Sequence, residues 1–263
     1  MKNRKIIKIC SEKLIFLNYA ENTQRIYLNY ISEFVCQIEK QYIHLNSSDF
    51  ENYIKNYRFS SVSQQNQVLS SLKFLYSKVL GKKYNKVDFN RPRKQRKLPR
   101  VIEKQKLILK INKIVNLKHK AILSLMFGTG LRASEVLNLK IEDIDSSRML
   151  LLVRNSKFNK DRYVPFSKNN LILLREYFKE YKPKQFLFEG TGGKYTYSSL
   201  RNISHKYLDI NPHIIRHSYA TSLVESKENL RTIQLVLGHK NSKTTEIYTH
   251  VSKDILNEVN SPI

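Results

Sequence analysis

The stretch NPHIIRHSYATSLVESKENLRTIQLVLGH, residues 211–239, decides how this chain is read. Asn211-Pro212 is an N-cap followed by a first-turn proline, so a helix starts there. A second helix runs through NLRTIQLVLG and stops at Gly238. Within the first helix, His213 and Arg216 stand three residues apart and share a face. One imidazole and one guanidinium presented together suit a single phosphate. His213 and His217 also have the i, i+4 spacing of a helical zinc pair. Ile214, however, stands where zinc proteases place a glutamate, and no nearby carboxylate completes a ligand set. His217 therefore reads as a structural hydrogen-bonding residue. His239, after Gly238, either meets the helix dipole or belongs to the same site. Nine positions on, Tyr248 sits among Thr244, Thr245, Glu246 and Thr249. It either packs its ring or offers its hydroxyl for chemistry.

Working outward, the chain has 263 residues, enough for one large domain or two ordinary ones. Its 41% apolar content argues against disorder, and no apolar run is long enough to span a bilayer. Lys8, Glu12 and Lys13 break up any signal-like region at the basic start, so a cytoplasmic, nucleoid-associated protein is expected. Cys10 and Cys36 form no CxxC pair and read as free thiols in a reducing compartment. Lys and Arg number 47 against 22 Asp and Glu, a net charge of +25. Such an excess suits a surface laid against phosphates. An anionic membrane surface, a ribosomal setting or a lysine-rich genome would also produce it, so charge alone says nothing of chemistry.

The fold class that follows is mainly α with a small antiparallel β-hairpin. Residues 1 to about 84 carry helical periodicity, at Ile26, Ile31, Phe34, Val35 and Ile38 and again from Val68 to Val79. Asn22 or Thr23 is expected to cap the first of these helices and Ser63 to start the second, which Gly81 ends. NRPRKQRKLPR, residues 90–100, holds six basic residues, two prolines and no acid. It reads as an extended linker lying along a nucleic-acid backbone, with Arg91, Arg93, Lys94, Arg96, Lys97 and Arg100 as the contacts. A merely solvated linker is the weaker alternative. Beyond it come two helices from residue 103, a break at Gly128 and Gly130, and a helix with Arg132 in its first turn. Two strands then flank a polar turn at residues 156–160, and helices are expected at 168–181 and 197–207. Ser242 or Thr244 is expected to cap a last short helix.

Arg132 is a poor electrostatic choice for a helix start, whose dipole favours anions. Its place there makes sense if an anion is shared, or if it pairs with Glu135 three residues on. Lys157 in the hairpin turn is either solvated or reaches into a groove. Together these are two arginines, a lysine, two histidines and a tyrosine, with no acidic cluster to hold magnesium. That set suits phosphoryl transfer without metal or cofactor. Two guanidiniums neutralise charge on the phosphorus oxygens, a histidine helps a phenol of ordinary pKa near ~10 to attack, and a lysine or histidine protonates the leaving oxygen.

Four blocks in this order closely resemble the tyrosine recombinase (phage integrase) family: GTGLRASEVLNLK (128–140), NSKFNKDRYVP (155–165), residues 213–239, and TTEIYTHV (244–251). The nearest types are the two-domain bacterial XerC/XerD-like recombinases. AENTQRIYLNYISEF (20–34) resembles that family's helical core-binding, SAM-like domain. The resemblance implies a core-binding domain over 1–87, a basic linker over 88–101, an α+β catalytic domain over 102–258 and a tail over 259–263. It places the catalytic set on Arg132, Lys157, His213, Arg216, His239 and Tyr248, with Glu135 supporting Arg132. Tyr248 is then the nucleophile, Lys157 the proton donor to the leaving oxygen, His213 the acid/base partner of the tyrosine and His239 a hydrogen-bonding stabiliser. The implied reaction is site-specific DNA recombination through a 3′-phosphotyrosyl intermediate, without metal or ATP. The implied partners are a double-stranded recombination site and a tetramer, of this chain alone or with a paralogue. Ser156-Lys157-Phe158 departs from the family's Gly-Lys-Gly turn, and Lys227 and Asn229 depart from its usual turn before the LGH block. Two other readings stay open: a type IB topoisomerase-like enzyme that relaxes DNA, and a DNA-binding architectural protein without catalysis.

Overall fold

The computed structural model describes residues 2–38, 40–83, 91–92, 99–156, 160–239 and 241–248. The chain divides into two compact units, Met1–Arg96 and Lys97–Ile263.

The first unit is all helical: α1 (Lys2–Phe16), α2 (Glu21–Gln37), α3 (Ser47–Asn56) and α4 (Val62–Phe74), the last continued by a wider turn over Leu75–Val79. Ile31 and Phe34 of α2, Phe50 of α3 and Val68 and Leu72 of α4 are fully buried against Ile6, Cys10 and Leu14 of α1. Phe34 and Phe50 centre the core with ring centroids 4.5 Å apart. The free thiol of Cys10 is buried and that of Cys36 exposed. Two expected caps shift. Helix α2 starts at Glu21 behind Ala20, which makes no side-chain cap, and its first turn instead carries the Glu21 charge that the dipole favours. The cap of α4 is Ser61 rather than Ser63, because Ser61 Oγ accepts the Gln64 N–H at 3.1 Å while Gln64 Oε1 accepts the Ser60 N–H at 2.7 Å.

The second unit wraps helices around α6 (Leu117–Thr129), which buries Ala121, Ile122, Leu123, Leu125, Met126 and Phe127. Around it stand α5 (Lys104–Asn112), α7 (Ala133–Asn138), α8 (Lys168–Tyr181), α9 (Tyr197–Leu208) and α10 (Pro212–Glu225). A three-stranded antiparallel sheet, β1 (Ile144–Asp145), β2 (Leu150–Ser156) and β3 (Lys160–Pro165), is ordered β1-β2-β3. Its register sets Leu151 opposite Val164 and Val153 opposite Arg162. Leu151, Val153 and Val164 are buried, so the inward face of β3 also carries Arg162. The two-residue strands β4 (Glu189–Gly190) and β5 (Gly193–Lys194) pair separately, a feature absent from the sequence reading. The unit ends in α11 (Leu230–Leu237) and α12 (Lys243–Glu246). A small core of Ala220, Val224, Ile233, Leu237 and Tyr248 joins α10, α11 and the segment after α12. Of the two residues expected to cap α12, Ser242 stands at its N-cap, without a side-chain bond. Among the described residues, no helix is long and apolar enough to cross a membrane.

Candidate active site

The site is assembled where helices end. Helix α6 closes at Gly130, whose φ of +63° places it in the left-handed region. A Cβ there would also lie 2.2 Å from the Tyr219 ring, so glycine is required for both backbone and space. The chain turns at once into α7, with Arg132 at its N-cap rather than inside the first turn. Glu135 takes the Arg132 backbone N–H on Oε2 at 2.8 Å and the Arg132 Nη1 donor on Oε1 at 2.7 Å. Of the two sequence alternatives for Arg132, the pair with Glu135 forms, and the second nitrogen, Nη2, donates to the Gly238 carbonyl at 3.3 Å.

Arg216 enters from α10 and is only 5% exposed. Its Nη1 donates to the Gly130 carbonyl and its Nη2 to the Leu237 carbonyl, each at 2.6 Å. These are terminal carbonyls of α6 and α11, which carry negative partial charge and lack helical partners. Burial first, then the neighbouring Arg132 charge, pulls the Arg216 guanidinium down to about 10, which still leaves it protonated at neutral pH.

Sequence reading missed Arg162. Its fork meets Glu135 from β3, Nη1 to Oε1 at 3.0 Å and Nη2 to Oε2 at 2.9 Å, while Nε donates to the Val236 carbonyl at 2.9 Å. Arg216 Nη1 lies 3.9 Å from the same carboxylate. Burial alone would raise the Glu135 pKa, but the hydrogen bonds and charge of Arg162, with those of Arg132, outweigh it and hold the group at about 2. One carboxylate thus organises three guanidiniums, and the cluster keeps a positive surplus. The signal for Arg162 was present: alternation from buried Val164 places residue 162 on the inward face, where a charge needs a partner.

His239 follows the α11 C-cap, Gly238, at φ +63°. Its Nε2 is 3.1 Å from Arg216 Nη2 and its Nδ1 is 3.0 Å from Thr245 Oγ1. A guanidinium only donates, so Nε2 is the acceptor and the neutral ring carries its hydrogen on Nδ1, toward Thr245. Burial, then Arg216 and Arg132, pulls His239 down to about 4, in keeping with a neutral ring.

Tyr248 is 3% exposed, its ring stacked near His239 at 6.3 Å and tilted against His217 at 5.6 Å. Its hydroxyl lies 2.9 Å from His217 Nδ1. The hydrogen-bond partner of the Tyr248 hydroxyl is thus His217, one residue past Arg216, and no hydrogen bond from Tyr248 to His213 is present among the described residues. Burial raises the Tyr248 pKa, opposed by the charges of Arg216 and Arg132. His213 is held below the usual histidine range by burial, then by Arg216 and Arg132. The structure therefore draws Arg132, Arg216, His239 and Tyr248 together, with His213 within reach of the arginine charges. Lys157 lies outside the described residues, as do Arg93, Lys94, Arg96, Lys97 and the tail. Of the basic linker set, Arg91 donates to Ser70 Oγ at 3.0 Å and Arg100 is exposed.

Comparison with known proteins agrees with this architecture. Residues 100–254 match the model of the phage integrase family, and residues 6–86 that of the phage integrase N-terminal SAM-like domain. The chain belongs to the phage integrase family and is a tyrosine-type site-specific DNA recombinase, close to the XerC/XerD-like enzymes. It is 34% identical to the tyrosine recombinase XerA of Pyrococcus horikoshii, over 91% of this chain and 86% of that one. It is 32% identical to a tyrosine recombinase of Thermosipho africanus, over 94% and 95% of the two chains. Its fold is shared with the XerH site-specific recombinase bound to palindromic difH substrate in a post-cleavage complex, at TM-score 0.70 and 22% identity, over 90% of this chain and 78% of that one. These likenesses favour neither a topoisomerase-like enzyme nor an inactive architectural protein.

Proposed function

We propose that this recombinase cleaves and rejoins DNA through Tyr248. The phenolic oxygen bonds to the scissile phosphorus, the bond from phosphorus to the 5′ oxygen breaks, and a 3′-phosphotyrosyl ester forms with a free 5′ hydroxyl. The phenol gives up its proton to a base, and the leaving oxygen takes one, from Lys157 in this reading. A 5′ hydroxyl from a partner duplex reverses the step, so strands are exchanged without ATP. Arg132 and Arg216 hold the phosphate oxygens. Of the five N–H donors on Arg216, three face Gly130, Leu237 and His239, which leaves two for a phosphate. His213, neutral and close to both guanidiniums, contacts the same phosphate. No step requires a metal or cofactor, because fixed guanidiniums neutralise the charge that develops on phosphorus.

The partner is a double-stranded recombination site, held by a core-binding domain over 1–87, the basic linker 88–101 with Arg91, Arg93, Lys94, Arg96, Lys97 and Arg100, and a catalytic domain over 102–258. The protein works in the cytoplasm as a tetramer on two sites, with the tail docking on a neighbouring protomer. The observation that carries the chemistry is the burial of Tyr248 within the network that fixes Arg216 and His239. The test is a suicide duplex nicked beside the cleavage point. Tyr248→Phe is expected to abolish covalent adducts while DNA affinity stays nearly unchanged; adducts that persist in the variant would remove Tyr248 as nucleophile.

A further inference from the structure

Among the described residues, two imidazoles have rings beside the phenol, those of His217 and His239, and His213 stands close to the guanidiniums of Arg216 and Arg132. On His239 both ring nitrogens are committed, Nε2 to the Arg216 donor and Nδ1 to Thr245. His213 makes no hydrogen bond to Tyr248 among the described residues. His217 alone has a ring nitrogen on the phenolic oxygen, at 2.9 Å. That distance is an ordinary hydrogen bond; with the neutral ring's hydrogen on Nε2, Nδ1 accepts and the phenol donates, and the proton it donates is the one that must leave for the oxygen to attack.

We propose that His217 is a catalytic residue: its Nδ1 accepts the Tyr248 proton as the bond between the phenolic oxygen and phosphorus forms. The inference rests on Tyr248 being the nucleophile. Protons and electrons balance in each direction. The phenolic O–H electrons become the new ester bond, the proton passes to Nδ1, and the electrons of the breaking phosphorus–oxygen bond stay on the 5′ oxygen, which is protonated separately. In the reverse step, the imidazolium returns its proton to the departing phenolate. The position suits the task. His217 follows Arg216 directly on α10, so the phosphate clamp and the proton acceptor are fixed by one rigid helix. Its ring centroid lies 5.6 Å from that of Tyr248, closer than the 6.3 Å of His239. Burial, then the charges of His213 and Arg216, keeps His217 below the usual histidine range, so at neutral pH it has a lone pair to offer.

The experiment uses the full chain and two versions of the nicked duplex, one with the ordinary 5′ oxygen at the cleavage point and one with sulfur bridging there. A thiolate leaves without being protonated, so sulfur relieves the need for an acid but not for a base. His217→Ala and His217→Gln, the latter keeping a hydrogen-bonding side chain, are each expected to cleave about 100-fold or more slowly on both duplexes. DNA affinity and the melting temperature of His217→Gln should stay at wild-type values. A defect that disappears on the sulfur duplex would make His217 the acid for the leaving oxygen and overturn the proposal. Cleavage by both variants within about threefold of wild type would also overturn it. Tyr248→Phe run in parallel separates the two readings. Adducts from that variant refute the nucleophile itself, whereas an inactive Tyr248→Phe beside fully active His217 variants refutes only the role of His217.

Discussion

Glu135→Gln isolates the electrostatic centre of the catalytic unit. The change keeps the shape of the side chain and removes the charge that faces Arg162 at 2.9 and 3.0 Å, Arg132 at 2.7 Å and Arg216 at 3.9 Å. The carboxyl is lowered from its ordinary 4.5 to about 2. At about 1.4 kcal/mol per unit, that corresponds to roughly 3 kcal/mol of stability at pH 7. Breaking a buried ion pair from one side independently suggests about 3–5 kcal/mol. For a unit of this size the melting temperature should fall by roughly 6–12 °C. The sign with pH is set by a lowered acid. The contribution is complete above 4.5, the unfolded value, and fades as pH falls toward 2. Melts of wild type and Glu135→Gln followed from pH 7 downward should therefore differ most near neutrality and converge in acid. A gap below about 1 kcal/mol at pH 7, or curves that run parallel through the acid range, would refute the assignment of Glu135 as the organiser of three guanidiniums.

Two further changes probe the same network. Arg162→Lys keeps the charge but loses the fork, and should cost about 1.5–3 kcal/mol and slow adduct formation without weakening DNA binding, as read by melting and by the nicked-duplex assay. Gly238→Ala forces an L residue into φ +63° and sets its Cβ 3.0 Å from Arg162 Nη1, so a loss of about 1–2 kcal/mol or more is expected in urea unfolding.

Helix starts and stops with strong local chemistry were legible in sequence. Asn211-Pro212 and Gly238 bound α10 and α11 where expected, and the β2–β3 strands follow their alternation. Caps were less legible where competing groups lay close together: the Ser60–Gln64 exchange favoured Ser61 over Ser63. Strands β4 and β5 have two residues each, too few to carry a periodic pattern. Within the site, Arg132, Arg216, His239 and Tyr248 were identifiable by type and order. The pair of Arg132 with Glu135, three residues apart, was legible too, but the longer-range partners were not, because the bond between His217 and Tyr248 spans 31 residues and that from Arg162 to Glu135 spans 27. Such contacts are set by how α10, α11 and β3 pack, which no local window records.

The guanidinium of Arg216 closes the ends of two helices with the same nitrogens that fix its orientation. If Arg216 clamps the phosphate as proposed, reactivity and architecture are inseparable at this position. An inactive protein made by changing Arg216 would also carry two uncapped helix termini, and its silence in an assay would not distinguish lost catalysis from a loosened scaffold. On the proposed mechanism, a recombinase meant to be stalled on its DNA with the framework intact is better disarmed at the phenol.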